Sequence, residues 1–92
     1  MSERTHELKT DPAVYDAVEA GLKTYELRLN DRGYAVGDKL VLLQTLYTGA
    51  EMRAGAPLVF TGKKVRKTIS HILLGPVYGL ADGWAILSFA PG

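Results

Sequence analysis

Apolar positions recur along the chain at two different spacings, and the switch between them falls at Gly21. Before it, Val14, Tyr15, Val18 and Leu22 stand three or four residues apart, the spacing of one helical face. Asp11-Pro12 supplies an N-cap and a first-turn proline that has no N–H to leave unpaired, and Gly21 suits a left-handed C-terminal residue. The pattern predicts a helix over residues 11–20. After Gly21 the period becomes two. Tyr25, Leu27 and Leu29 alternate with Thr24, Glu26, Arg28 and Asn30, which predicts a half-buried strand with its apolar face on the core.

Shorter signals fill in the rest. His6 to Lys9 reads as a first strand, Asn30-Asp31-Arg32-Gly33 as a turn, and Gly37-Asp38 as a second turn before a strand over Lys39 to Leu46. Tyr47 to Pro57 holds Gly49, Gly55 and Pro57 and reads as a mobile loop. Leu58-Val59-Phe60 is a short strand, Thr61-Gly62 a turn, Lys64 to Leu74 a long strand and Trp84 to Phe89 a last one, with Trp84 expected in the core. One early helix followed by about five or six strands predicts a mainly β, α+β fold, with the strands in a small closed or nearly closed barrel. Residues 1–92 form a single domain with no second core.

Composition narrows the function classes. The chain has no cysteine, which removes disulfides, thiolate metal sites and a cysteine nucleophile. Its two histidines, His6 and His71, offer no metal-site spacing, so no metal and no cofactor are expected. His6 could serve at the mouth of a cleft or, on the plainer reading, sit in solvent or bond to the backbone, and His71 is expected in a structural role. The start of the chain is polar and unlike a signal peptide, and no apolar run nears the ~20 residues of a membrane span. A cytoplasmic protein follows as the expectation, with the monomer favoured and the oligomeric state open.

Net charge is only +1, but it is unevenly spread. Residues 1–38 carry five Lys/Arg and eight Asp/Glu, whereas residues 39–92 carry six and two. Lys63, Lys64, Arg66 and Lys67 concentrate the basic excess. They could track a phosphate backbone, or form a solvated edge strand that resists aggregation.

The most informative segment is Gly21-Leu22-Lys23-Thr24-Tyr25-Glu26-Leu27-Arg28. It resembles the G-x-K-x-x-E-x-R signature of ASCH domains, which belong to the PUA-like superfamily. The longer string also looks like a small bacterial and phage ASCH-like family, through His6 to Lys9, Lys23 to Arg28, Asn30 to Arg32, Val36 to Asp38, Thr61-Gly62, Gly79-Leu80 and Gly83-Trp84. The resemblance implies a PUA-like barrel with a cleft between helix and barrel, where RNA or a modified nucleotide binds.

The residues suit such a cleft. Lys23 can meet a phosphate, the Glu26 carboxylate can accept from a base's exocyclic amine, and Arg28 and Asn30 can read a base edge. Thr24 extends the same face, and Arg32 can join it from the following turn. The plainer reading is a solvated polar face with a weak Glu26–Arg28 surface pair and a turn built by Asn30 and Asp31. Tyr34 and Tyr47 could stack on bases or pack at a barrel end.

Three functions remain open. The first is an RNA- or nucleotide-binding module. The second is a small hydrolase acting on RNA or a modified nucleoside. Some ASCH-like proteins deacetylate acetylated cytidine through a G-x-K-T-x-T-x-R segment, in which Lys accepts a proton and the second Thr is the nucleophile. This chain keeps Lys23, Thr24 and Arg28 but has Glu26 at the nucleophile position, so Lys23 and Glu26 are the catalytic candidates. The third is a protein-interaction module using the Tyr47 to Pro57 loop with Leu46, Met52 and Leu58.

Overall fold

Two short helices punctuate five strands in a computed structural model that describes residues 4–91; Met1 to Glu3, the start of the polar N-terminal stretch, and Gly92 lie outside them. In chain order the elements are β1 (Thr5–Thr10), α1 (Pro12–Glu19), β2 (Tyr25–Leu29), β3 (Lys39–Thr45), α2 (Gly49–Arg53), β4 (Phe60–Leu74) and β5 (Trp84–Phe89). The strands form one mixed sheet in the order β1-β3-β4-β5-β2. β1 runs parallel to β3, with Thr5 opposite Lys39 and Thr10 opposite Gln44. The other pairings are antiparallel.

The core follows from these pairings. Leu40 and Leu42 on β3 meet Leu8 on β1, Ile69 on β4 and Ala85 and Leu87 on β5, and α1 lays Tyr15 and Val18 over them. Gln44 at the end of β3 donates to Pro12 O and Asp16 Oδ1 of α1 and accepts from Thr61, so the helix is fixed by polar contacts as well as packing.

β4 shapes the molecule. Fully extended, its 15 residues would reach about 46 Å. The molecule's longest dimension is 36 Å. The strand therefore bends, and register shifts opposite Leu43–Thr45 and at Ile69–His71 mark where. Its first half pairs with β3 and its second half with β5, so the sheet curls until β1 and β2 face each other.

They do not pair. The expected barrel is corrected to an open sheet whose end strands are β1 and β2. Side chains cross the gap instead: Arg28 Nη2 donates to Lys9 O at 2.5 Å and Arg32 Nη1 to Glu7 O at 2.9 Å. These carbonyls stand on the outer edge of β1, and the arginines occupy acceptors that a strand ladder would need.

Other expectations are corrected as well. The Tyr47 to Pro57 loop contains α2, whose N-cap Thr48 and Glu51 form a reciprocal capping box. Asp11 makes no side-chain cap on α1; its Oδ1 accepts from Gly49 N at 3.0 Å and so anchors the start of α2. Thr61-Gly62 is no turn, because β4 runs through it with Gly62 at φ +92°. The expected core position of Trp84 is corrected: it is 40% exposed at the start of β5, opposite Leu29. Among the described residues, no helix is long and apolar enough to cross a membrane.

Candidate functional site

The largest correction concerns β2, and it builds the site. The apolar residues Tyr25, Leu27 and Leu29 are 44%, 47% and 49% exposed, while Glu26 is 4% exposed. Alternation dictates that the two faces of a strand differ, but it leaves open which face turns inward. Here the polar face turns inward because its charges find partners there. Glu26 Oε1 accepts from Lys23 Nζ at 3.0 Å, and Oε2 accepts from Arg28 Nε at 2.8 Å. An unpaired buried carboxylate would cost several kcal/mol, so this triad must form as a unit.

The triad lines a cleft of about 690 Å³ that opens along the seam between β1 and β2. Both walls come from the topology. β2 and the residues flanking it supply Lys23, Glu26, Arg28, Arg32 and Tyr34 together with the apolar Tyr25, Leu27 and Leu29, β5 adds Trp84, and β1, the N-cap of α1 and the two helices supply Leu8, Asp11, Val14 and Arg53 among others. Basic residues outnumber acidic ones five to three along the lining, and the Glu26 charge is already shared by two cations.

Each cation on the β2 wall is held. Lys23 Nζ also donates to Tyr25 O at 2.7 Å and sits 4.6 Å from the centre of the Tyr25 ring. Arg28 spends Nε on Glu26 and Nη2 on Lys9 O, which leaves Nη1 without a hydrogen bond among the described residues. Tyr34 is buried at the back of the cleft. Burial raises its hydroxyl above the ordinary 10.0, and the Arg32 and Arg28 charges pull it partly back.

Of the residues singled out by sequence, Lys23, Glu26, Arg28 and Arg32 converge on this cleft. Thr24 and Asn30 do not line it. The Thr24 carbonyl accepts from Phe89 N, and Asn30 Oδ1 accepts from Tyr34 N, which makes Asn30 a turn-former. Lys63, Lys64, Arg66 and Lys67 also lie outside the cleft. Strand alternation splits them, with Lys64 and Arg66 opposite Leu43 and Val41 and Lys67 opposite Leu40 on the other face. Arg66 and Lys67 nonetheless line a second, smaller concavity with Lys39 and Thr68, and none of the four lines the cleft.

His6 belongs to a different cluster. Its Nε2 lies 2.8 Å from Asp38 Oδ2, and its ring packs edge-on against Tyr34 with centroids 4.8 Å apart. Asp38 is fully buried and also accepts from Ala35 N and Arg4, so it ties β1 to the turn before β3 instead of merely forming that turn. Among the described residues, no three histidine or carboxylate side chains gather as metal ligands would. Sequence reasoning missed Arg53 because it took its segment for a loop. The Thr48-Gly49-Ala50-Glu51 capping signature was the available signal for a helix there.

No curated protein matches the chain. Residues 5–89, from the first strand to the end of the last, match the family described as Domain of unknown function (DUF3850), and the chain belongs to that family.

Proposed function

We propose that this protein binds RNA or a nucleotide in the seam cleft, as a module akin to ASCH domains. The observation that carries the reading is the inverted β2. The chain exposes Tyr25, Leu27 and Leu29 in order to bury the Glu26 carboxylate between Lys23 and Arg28. Exposing apolar surface forgoes about 25 cal/mol per Å², so this arrangement runs against stability unless the site has a use, and Tyr25, Leu27 and Leu29 line the same cleft as the triad. Glu26 acts there as an organiser. Accepting from both cations, it holds Lys23 and Arg28 on the cleft wall, with Arg28 Nη1 left without a hydrogen bond among the described residues. A phosphate is the natural guest for a lysine and an arginine held in place beforehand.

The hydrolase alternative has less support. Thr24 does not line the cleft, and Glu26 is held on both sides by cations, as suits a fixed organiser of Lys23 and Arg28. The test is a fluorescence titration with short RNAs and nucleotides at several salt concentrations. Wild type should bind with an affinity that falls as salt rises, and Lys23→Ala and Arg28→Ala should each weaken binding about tenfold or more. Salt-independent binding, or binding unchanged in both variants, contradicts the proposal. Depletion of acetylated cytidine without RNA binding would favour the hydrolase.

A further inference from the structure

Arg53 stands on the wall of the cleft contributed by the helices, at the end of α2. It differs from the triad in one respect. Lys23, Arg28 and Arg32 all donate to protein acceptors, whereas Arg53, exposed like Lys9 on the β1 wall, has no hydrogen bond or ion pair among the described residues. The Asp11 carboxylate lies near it but forms no ion pair with it. A Cβ built on Gly49 would lie 3.4 Å from Arg53 Nη1 and 3.9 Å from Asp11 Oδ1, and that Asp11 oxygen already accepts from Gly49 N. The helix carrying Arg53 is closed by its own capping box and tethered to the start of α1 through Asp11, so the guanidinium is presented from an anchored element.

We infer that Arg53 forms a second anion subsite, and that the cleft takes a ligand with two phosphate groups flanking one nucleoside, one on the Lys23–Arg28 side and one on Arg53. This rests on the nucleotide-binding reading above and deepens it. A volume of about 690 Å³ suits a single nucleotide with its flanking phosphates. The basic residues Lys63, Lys64, Arg66 and Lys67 of β4 do not line this cleft. The plainer role of Arg53 is a last-turn cation on the helix dipole of α2, and that role makes no distinction between ligands.

The experiment compares two probe sets, the four nucleoside 5′-monophosphates and the four nucleoside 3′,5′-bisphosphates, by calorimetric titration of wild type, Arg53→Ala and Arg53→Lys. Wild type should bind its preferred bisphosphate about tenfold more tightly than the matching monophosphate, the worth of one charge-assisted contact. Arg53→Ala should erase that difference by weakening bisphosphate binding about tenfold more than monophosphate binding, with Arg53→Lys in between. Equal binding of the two sets by wild type, or an equal loss for both sets in Arg53→Ala, overturns the subsite and leaves the nucleotide reading standing. Failure of wild type to bind either set, while it binds short RNAs, also overturns the subsite alone. Failure to bind either set or RNA overturns both.

Discussion

Replacing Glu26 by alanine removes the acceptor shared by Lys23 and Arg28 and leaves two cations facing each other on the inner side of β2. Breaking a buried ion pair costs about 3–5 kcal/mol. The side chains of Lys23 and Arg28 keep 19% and 28% exposure, so both can turn partly to water, and the low end, about 3 kcal/mol, applies. For a domain of this size each kcal/mol lowers the melting temperature by roughly 4–8 °C, so a drop of about 12–24 °C is expected. Glu26→Gln keeps one acceptor and should lose about half as much. A double-mutant cycle with Arg28→Ala should give a coupling of at least about 1 kcal/mol, because the two residues form one unit. Thermal unfolding by circular dichroism measures all of these. A Glu26→Ala variant that melts within about 3 °C of wild type, or a coupling near zero, would refute the claim that the triad is buried and mutually dependent.

Asp11→Ala should loosen α2 and spare α1. Hydrogen exchange at the Gly49 amide should speed up, at a cost of about 1 kcal/mol, while the α1 amides keep their protection. Gly75→Ala should destabilise the β4–β5 connection, because its Cβ would fall 2.0 Å from the Ala81 carbonyl oxygen, a backbone atom that cannot swing aside; denaturant melts should show a clear loss. Burial, helped by Glu19, raises the Tyr15 hydroxyl above 10.0, and burial raises Tyr34 likewise. Between pH 10 and the folded-state values the native chain holds protons that the unfolded chain has lost. Stability is therefore fully present below pH 10 and declines as pH rises above it, which melts at stepped alkaline pH with absorbance at 295 nm can follow.

The elements were largely legible in the sequence because they rest on local signals. The switch of period at Gly21 located α1 and β2, and glycine-marked turns bounded most strands. The inward face of β2 was not legible. An alternating pattern with three apolar residues on one side points that side to the core, and only the pairing of Glu26 with Lys23 and Arg28, together with the β1 carbonyls across the seam, reverses it. The open seam was hidden for the same reason, since strand closure is a long-range outcome. The short helix α2 was missed where Gly49, Gly55 and Pro57 drew attention away from Thr48 and Glu51. Among the site candidates, Lys23, Glu26, Arg28 and Arg32 were found through the motif and its neighbouring turn. The basic run on β4 was misleading because consecutive lysines on a strand face opposite ways.

The central claim is that the seam between β1 and β2 receives a phosphate-bearing ligand. Its most direct test is a two-dimensional ¹⁵N NMR titration of the protein with a pool of short single-stranded RNAs and nucleotides. The account predicts perturbations gathered on Lys9, Lys23 to Arg28, Arg32 and the α2 amides, with the Arg28 side-chain Nε–H resonance among the first to move. Perturbations centred on Lys63 to Lys67, with the seam silent, would contradict it.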